Sequence, residues 1–131
     1  MRQVMEINAL RLCGLLVVFP VLGSANDLLA PELVRSHGEL YVNLQLCSNT
    51  YLEYRHSPRL AKHYLNASLE IQSAYISQGQ LNALVDAVQN AHDRQGSIEV
   101  YAGEGREDFY KRVFSNARCE RELKLAKAFR F

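Results

Sequence analysis

Apolar side chains recur at helical spacing through most of the chain after residue 30. Leu40, Leu44, Cys47, Tyr51 and Tyr54 stand at offsets 0, 4, 7, 11 and 14, one continuous face of a helix with 3.6 residues per turn. Pro31 suits the first turn of that helix, where its missing N–H costs nothing. Gly38 weakens the early turns, because glycine is a poor helix former. Ser57-Pro58 then reads as a hydroxyl cap followed by proline at the first helical position. Leu60, Tyr64, Ala67, Ile71 and Ala74 repeat the same offsets up to a stop at Gly79. A third helix is expected from Gln80 to about Arg94, with Leu81, Leu84, Val85 and Val88 turned inward and Gly96 beyond its end.

The pattern breaks at Ser97–Arg106, where glycines at 103 and 105 flank short alternation at Ile98 and Val100. This segment reads as a loop with at most a short extended stretch. Helical spacing resumes at Tyr110, Val113, Phe114 and Ala117, shifts phase near Ser115-Asn116, and ends with Cys119, Leu123 and Ala126. Short connections make sequence neighbours pack antiparallel. The expected fold is all-α, a small bundle of four or five helices.

The N-terminal residues belong to a different pattern. Arg2 and Arg11 precede an apolar run from Leu12 to Leu22, and Gly23, Ser24 and Ala25 supply small residues after it. Basic region, short apolar region and small-residue site together form the secretory arrangement. The run is too short for a bilayer span of roughly 20 residues, and Cys13 stands at its start, where a lipidation cysteine would not be. Residues 1–25 are therefore expected to be a signal peptide cleaved near Ala25, and residues 26–131 the helical domain.

Removing the leader changes the charge. The chain holds 15 basic and 14 acidic residues, and loss of Arg2, Arg11 and Glu6 leaves 13 of each. A neutral domain has no global field to draw it to nucleic acid or anionic lipid, and no later segment is long and apolar enough to insert stably in a membrane. Of three cysteines, Cys47 and Cys119 remain, and an exported protein keeps such a pair oxidised. Free thiols or an intermolecular bridge are the alternatives to a Cys47–Cys119 disulfide stapling the bundle.

No constellation of catalytic residues stands out. Glu53 and His56 form a single Glu-x-x-His, where a di-iron bundle needs two such pairs and further carboxylates. His56 with His63, and His92 with Asp93, do not match zinc spacing, so neither metal nor other cofactor is expected. His37 reads as a surface or capping residue. The basic residues Arg118, Arg121, Lys124, Lys127 and Arg130 drift round a helix and read as a solvated face. All seven tyrosines follow the leader. Tyr51, Tyr54 and Tyr64 fall on core stripes, whereas Tyr101 sits in the glycine-flanked loop. Glu99, Glu104, Glu107 and Asp108 surround it. Carboxylates in a first helical turn complement the helix dipole, which accounts for Glu104, Glu107 and Asp108 but not for Glu99 or Tyr101. A loop that offers an aromatic anchor and acids to a protein partner accounts for all of them, with Glu99, Tyr101, Glu104 and Glu107 as partner-binding residues.

With the leader, Leu46-Cys47, Ser73-Ala74-Tyr75-Ile76-Ser77-Gln78-Gly79, and Cys119 with Leu123, the chain from Leu40 to Leu125 resembles the periplasmic immunity proteins that neutralise type VI secretion amidase effectors. The resemblance lies in spacing and character, and the residues after Cys119 depart from it. It implies a periplasmic, helical, often homodimeric protein that is not an enzyme and blocks a peptidoglycan amidase by inserting a loop into its cleft. A periplasmic chaperone or assembly adaptor binding an extended client, and a small hydrolase with a dispersed site, are the competing expectations.

Overall fold

The structure, a computed structural model, describes residues 29–130. The signal-peptide assignment lies outside the described residues. Contacts divide the chain after Pro31, and everything below concerns the unit that follows. Five helices account for most of it: α1 (Pro31–Glu53), α2 (Pro58–Ser77), α3 (Leu81–Gln95), α4 (Arg106–Val113) and α5 (Asn116–Lys127). No strand occurs among the described residues, so the all-α bundle is the fold, at the five-helix end of the expectation.

The longest helix, α1, is buried on more than one side. Val42, Leu44, Cys47 and Thr50 have no exposed surface, and they do not share one face. A helix covered this way must be surrounded by its neighbours, and the long-range bonds show how. Tyr41, Gln45 and Ser48 bond to Gln72, Ser68 and the Ala61 carbonyl of α2 in descending order, so α1 and α2 run antiparallel. Tyr51 bonds to Asn116, and Asn43 to Glu122, so α5 also runs antiparallel to α1. Between those two bonds the Cys47–Cys119 disulfide joins α1 to α5, with Cα atoms 5.8 Å apart.

Helix α2 starts at Pro58 as the sequence predicts, although the Ser57 hydroxyl makes no capping bond. Its end is a Schellman motif. Gly79 adopts φ +67°, and the N–H groups of Gly79 and Gln80 bond to the Ile76 and Tyr75 carbonyls. The buried face is turned by one residue from the expected stripe. Ala61, Tyr64, Ser68, Ile71 and Tyr75 are buried, while Leu60, Ala67 and Ala74 are only half-buried. Polar groups explain the turn, because each finds a partner inside. The Ser68 hydroxyl donates to the Leu65 carbonyl and accepts from Gln45, and the Tyr75 hydroxyl stands 2.6 Å from His37 Nδ1.

His37 is thus a core residue, not a surface or capping one. Its ring lies edge-on to Tyr75 and Phe129, and burial lowers its pKa below 6.5. Burial likewise pushes the Tyr75 hydroxyl up to about 12. Helix α3 repeats the turned face: Leu84, Ala87 and Ala91 are buried, whereas Leu81 and Val85, expected inside, are exposed. Small residues occupy the contact because α3 meets α1 at Gly38, where a Cβ would lie 2.6 Å from that of Ala87. The phase shift at Ser115-Asn116 is a true helix boundary: α4 ends at Val113, and the Ser115 hydroxyl accepts the Arg118 N–H to cap α5. Arg118 is not purely solvated, since it donates to the Val113 carbonyl and to Asn43.

Candidate binding surface

The loop between α3 and α4 is ordered by one arginine from α4. Gly103 takes φ +76°, a conformation open to few side chains, and the Glu104 N–H closes the turn onto the Tyr101 carbonyl at 3.0 Å. The Glu104 carboxylate is thereby brought under Arg112, which donates through Nε at 2.7 Å and Nη2 at 2.8 Å. This two-pronged pairing fixes orientation as well as charge. Arg112 Nη2 also donates to the Glu99 carbonyl at 2.8 Å. The guanidinium covers the Tyr101 ring at 3.8 Å from its centroid, within cation–π range. Finally, the Tyr101 N–H donates to Glu104 Oε1 at 3.0 Å.

These contacts sort the four predicted partner-binding residues. Tyr101 is 54% exposed, one face on Arg112 and the other toward solvent. Glu99 holds the clamp through its backbone and leaves its side chain exposed. Glu107 lies in the first turn of α4, bonded to Lys111 at 2.8 Å. Glu104 departs from the expectation: it precedes α4, and its side chain, 9% exposed, is turned onto Arg112 instead of outward. Its charge is spent inside the loop. Arg112 escaped the sequence reading because its contact depends on how the loop folds back, which no helical period encodes.

The Arg112 guanidinium, then the Tyr101 N–H, hold the Glu104 carboxyl down at about 2 from an ordinary 4.5. A depressed carboxyl pKa stabilises the loop fully above the unfolded value and loses that support as pH falls through the folded one. The loop should therefore remain closed at pH 3.5 and open near pH 2. Carboxyl carbon shifts of Glu104 with Tyr101 amide exchange would follow this. In Arg112→Gln the midpoint should move up toward 4.5, and an unmoved midpoint would contradict the clamp.

Beside the loop lies a cleft of about 320 Å³. Ile98 and Val100 form its loop wall, and Phe109, Tyr110 and Phe114 the α4 wall, with Gln95 of α3 between them. Among the described residues no group of three or more His, Cys, Asp or Glu side chains could hold a metal ion, and no helix is long and apolar enough to cross a membrane. The groups with shifted pKa values are accounted for by burial, as in His37, Tyr64 and Tyr75, or by ion pairing, as in Glu104, Glu107 and Arg112. No family model, curated protein or solved structure matches this chain.

Proposed function

We propose that the protein is a periplasmic binding protein of the immunity type, which inhibits a cell-wall-degrading amidase by placing the Glu99–Asp108 segment in its active-site cleft. The observation that carries this reading is the Arg112 clamp, which orders an irregular loop while leaving Tyr101 half exposed at its surface. An ordered loop has less conformational freedom to lose on binding, and tyrosine is among the residues in which interface energy concentrates. The resemblance to amidase immunity proteins and the export signal supply the class of partner. Glu99, Glu107 and Asp108 give the segment an outward acidic edge, whereas Glu104 contributes by shaping the loop.

The test is a titration against an amidase encoded beside the gene. Tyr101→Ala should weaken binding by about 2 kcal/mol, roughly thirtyfold, with unchanged thermal stability. Arg112→Ala should weaken it through loop disorder, detected as faster Tyr101 amide exchange in the free protein. Affinity within twofold of wild type for Tyr101→Ala would remove the loop from the contact. The adaptor reading has one observation in its favour: Leu65, Leu69 and Ile76 form an exposed row along α2, a surface that suits an extended client.

A further inference from the structure

We infer that the cleft beside the loop is a pocket for a tryptophan side chain of the protein partner, with the indole N–H bonded to Gln95; this rests on the binding reading above and names what that surface accepts. Its basis is the polarity of a buried hydrogen-bond chain. The Glu122 carboxylate can only accept, so it takes the Nδ2 donor of Asn43 at 3.3 Å. That turns Asn43 Oδ1 toward Arg118 Nη2 at 3.3 Å and Gln95 Nε2 at 3.1 Å. Arg118 has only donors, so reversing the Asn43 amide would set donor against donor. Glu122 and Arg118 together therefore fix both amides, and the Gln95 oxygen is left over. It is buried and meets no donor. A buried acceptor without a partner carries a desolvation cost that a matching donor removes.

The rest of the cleft selects what brings that donor. No Asp, Glu, Lys or Arg lines it, so a charged group would enter without compensation. The walls are Ile98, Val100, Phe109, Tyr110 and Phe114, surfaces that favour a flat aromatic body. Its volume of about 320 Å³ is at the lower end of ligand pockets, which begin at roughly 300 Å³. That is room for one fused ring, not for a peptide backbone. Tryptophan offers a donor and no acceptor, while tyrosine would carry its own oxygen lone pairs against the apolar wall. Val100 is 59% exposed at the cleft and adjoins Tyr101 in the chain, so the pocket continues the surface assigned to the partner.

Indole and benzofuran, the same fused ring with an ether oxygen replacing N–H, are the probes. Titrated into ¹⁵N-labelled protein, indole should shift the Gly96 and Ile98 amides saturably, and benzofuran should bind about tenfold more weakly. Gln95→Leu should erase that difference, and Ile98→Trp, which fills the cleft from within, should abolish both responses without depending on the Asn43 network. Equal binding of the two probes, or no saturable shift at the cleft, overturns the pocket. Ile98→Trp should also weaken the amidase complex more than tenfold. Wild-type affinity for this variant, with Tyr101→Ala still impaired, overturns the pocket while leaving the loop contact standing.

Discussion

Replacing both Cys47 and Cys119 with alanine should cost about 4 kcal/mol of stability, a large part of what a domain of this size has. The two positions are 72 residues apart, and closing so long a loop removes much of the freedom of the unfolded chain. The site also matters. Cys119 is the only fully buried residue of α5, so without the bond that helix is held by Tyr51–Asn116, by the bonds of Asn43 to Glu122 and Arg118, and by packing against α2. Loss should therefore be uneven, with amide exchange accelerating first in α5. With a urea slope of about 1.5 kcal/mol per molar, the midpoint should fall by more than 2 M. Reduction of the wild-type protein should give the same shift. A loss below about 1 kcal/mol would mean that the polar contacts and packing hold α5 unaided.

The disulfide was readable from counting cysteines because only two follow the leader and export keeps them oxidised. Helix boundaries were readable for an equally local reason: Pro58, Gly79 and the Ser115 cap act through backbone geometry at their own positions. The buried faces of α2 and α3 were less legible. Choosing the largest apolar residues pointed to Leu60 and Val85, yet the core uses Ser68 and Ala87. Hydrogen bonds inside the bundle make a serine, a histidine and a tyrosine hydroxyl acceptable there, and helices that approach closely select small residues. Both effects depend on a partner helix distant in sequence.

The same limit applies to the binding surface. Tyr101 could be singled out because it fits no helical stripe, and its exposure agrees with that reading. Glu104 was read as an outward acid because its partner, Arg112, lies eight residues on across a turn at Gly103. The cleft had no sequence signal at all. Its walls come from α3, the loop and α4, and its unpaired oxygen follows from a bond chain that begins at Glu122 in α5.

Gly38→Val should destabilise the protein by about 3 kcal/mol, and Gly38→Ala by about 1–2 kcal/mol, even though both residues suit a helix better than glycine. Sequence alone marks Gly38 as a weak point in α1, where alanine would gain up to about 1 kcal/mol of helix propensity. The structure reverses the sign. A Cβ at this position would lie 2.6 Å from the Ala87 Cβ, 2.7 Å from its carbonyl carbon and 2.9 Å from its carbonyl oxygen. Two of these three obstacles are backbone, so no side-chain rotation relieves them, and α3 as a whole must move away from α1. Separation there would also disturb Gln95, which reaches Asn43 from the end of the same helix. Ala87→Gly removes only one obstacle and should restore little of the loss in a Gly38→Ala/Ala87→Gly double variant. Urea melts of the three chains would decide it. A Gly38→Ala protein as stable as wild type, or full recovery in the double variant, would show that the α1–α3 contact yields at the Ala87 methyl and that its backbone approach does not limit it.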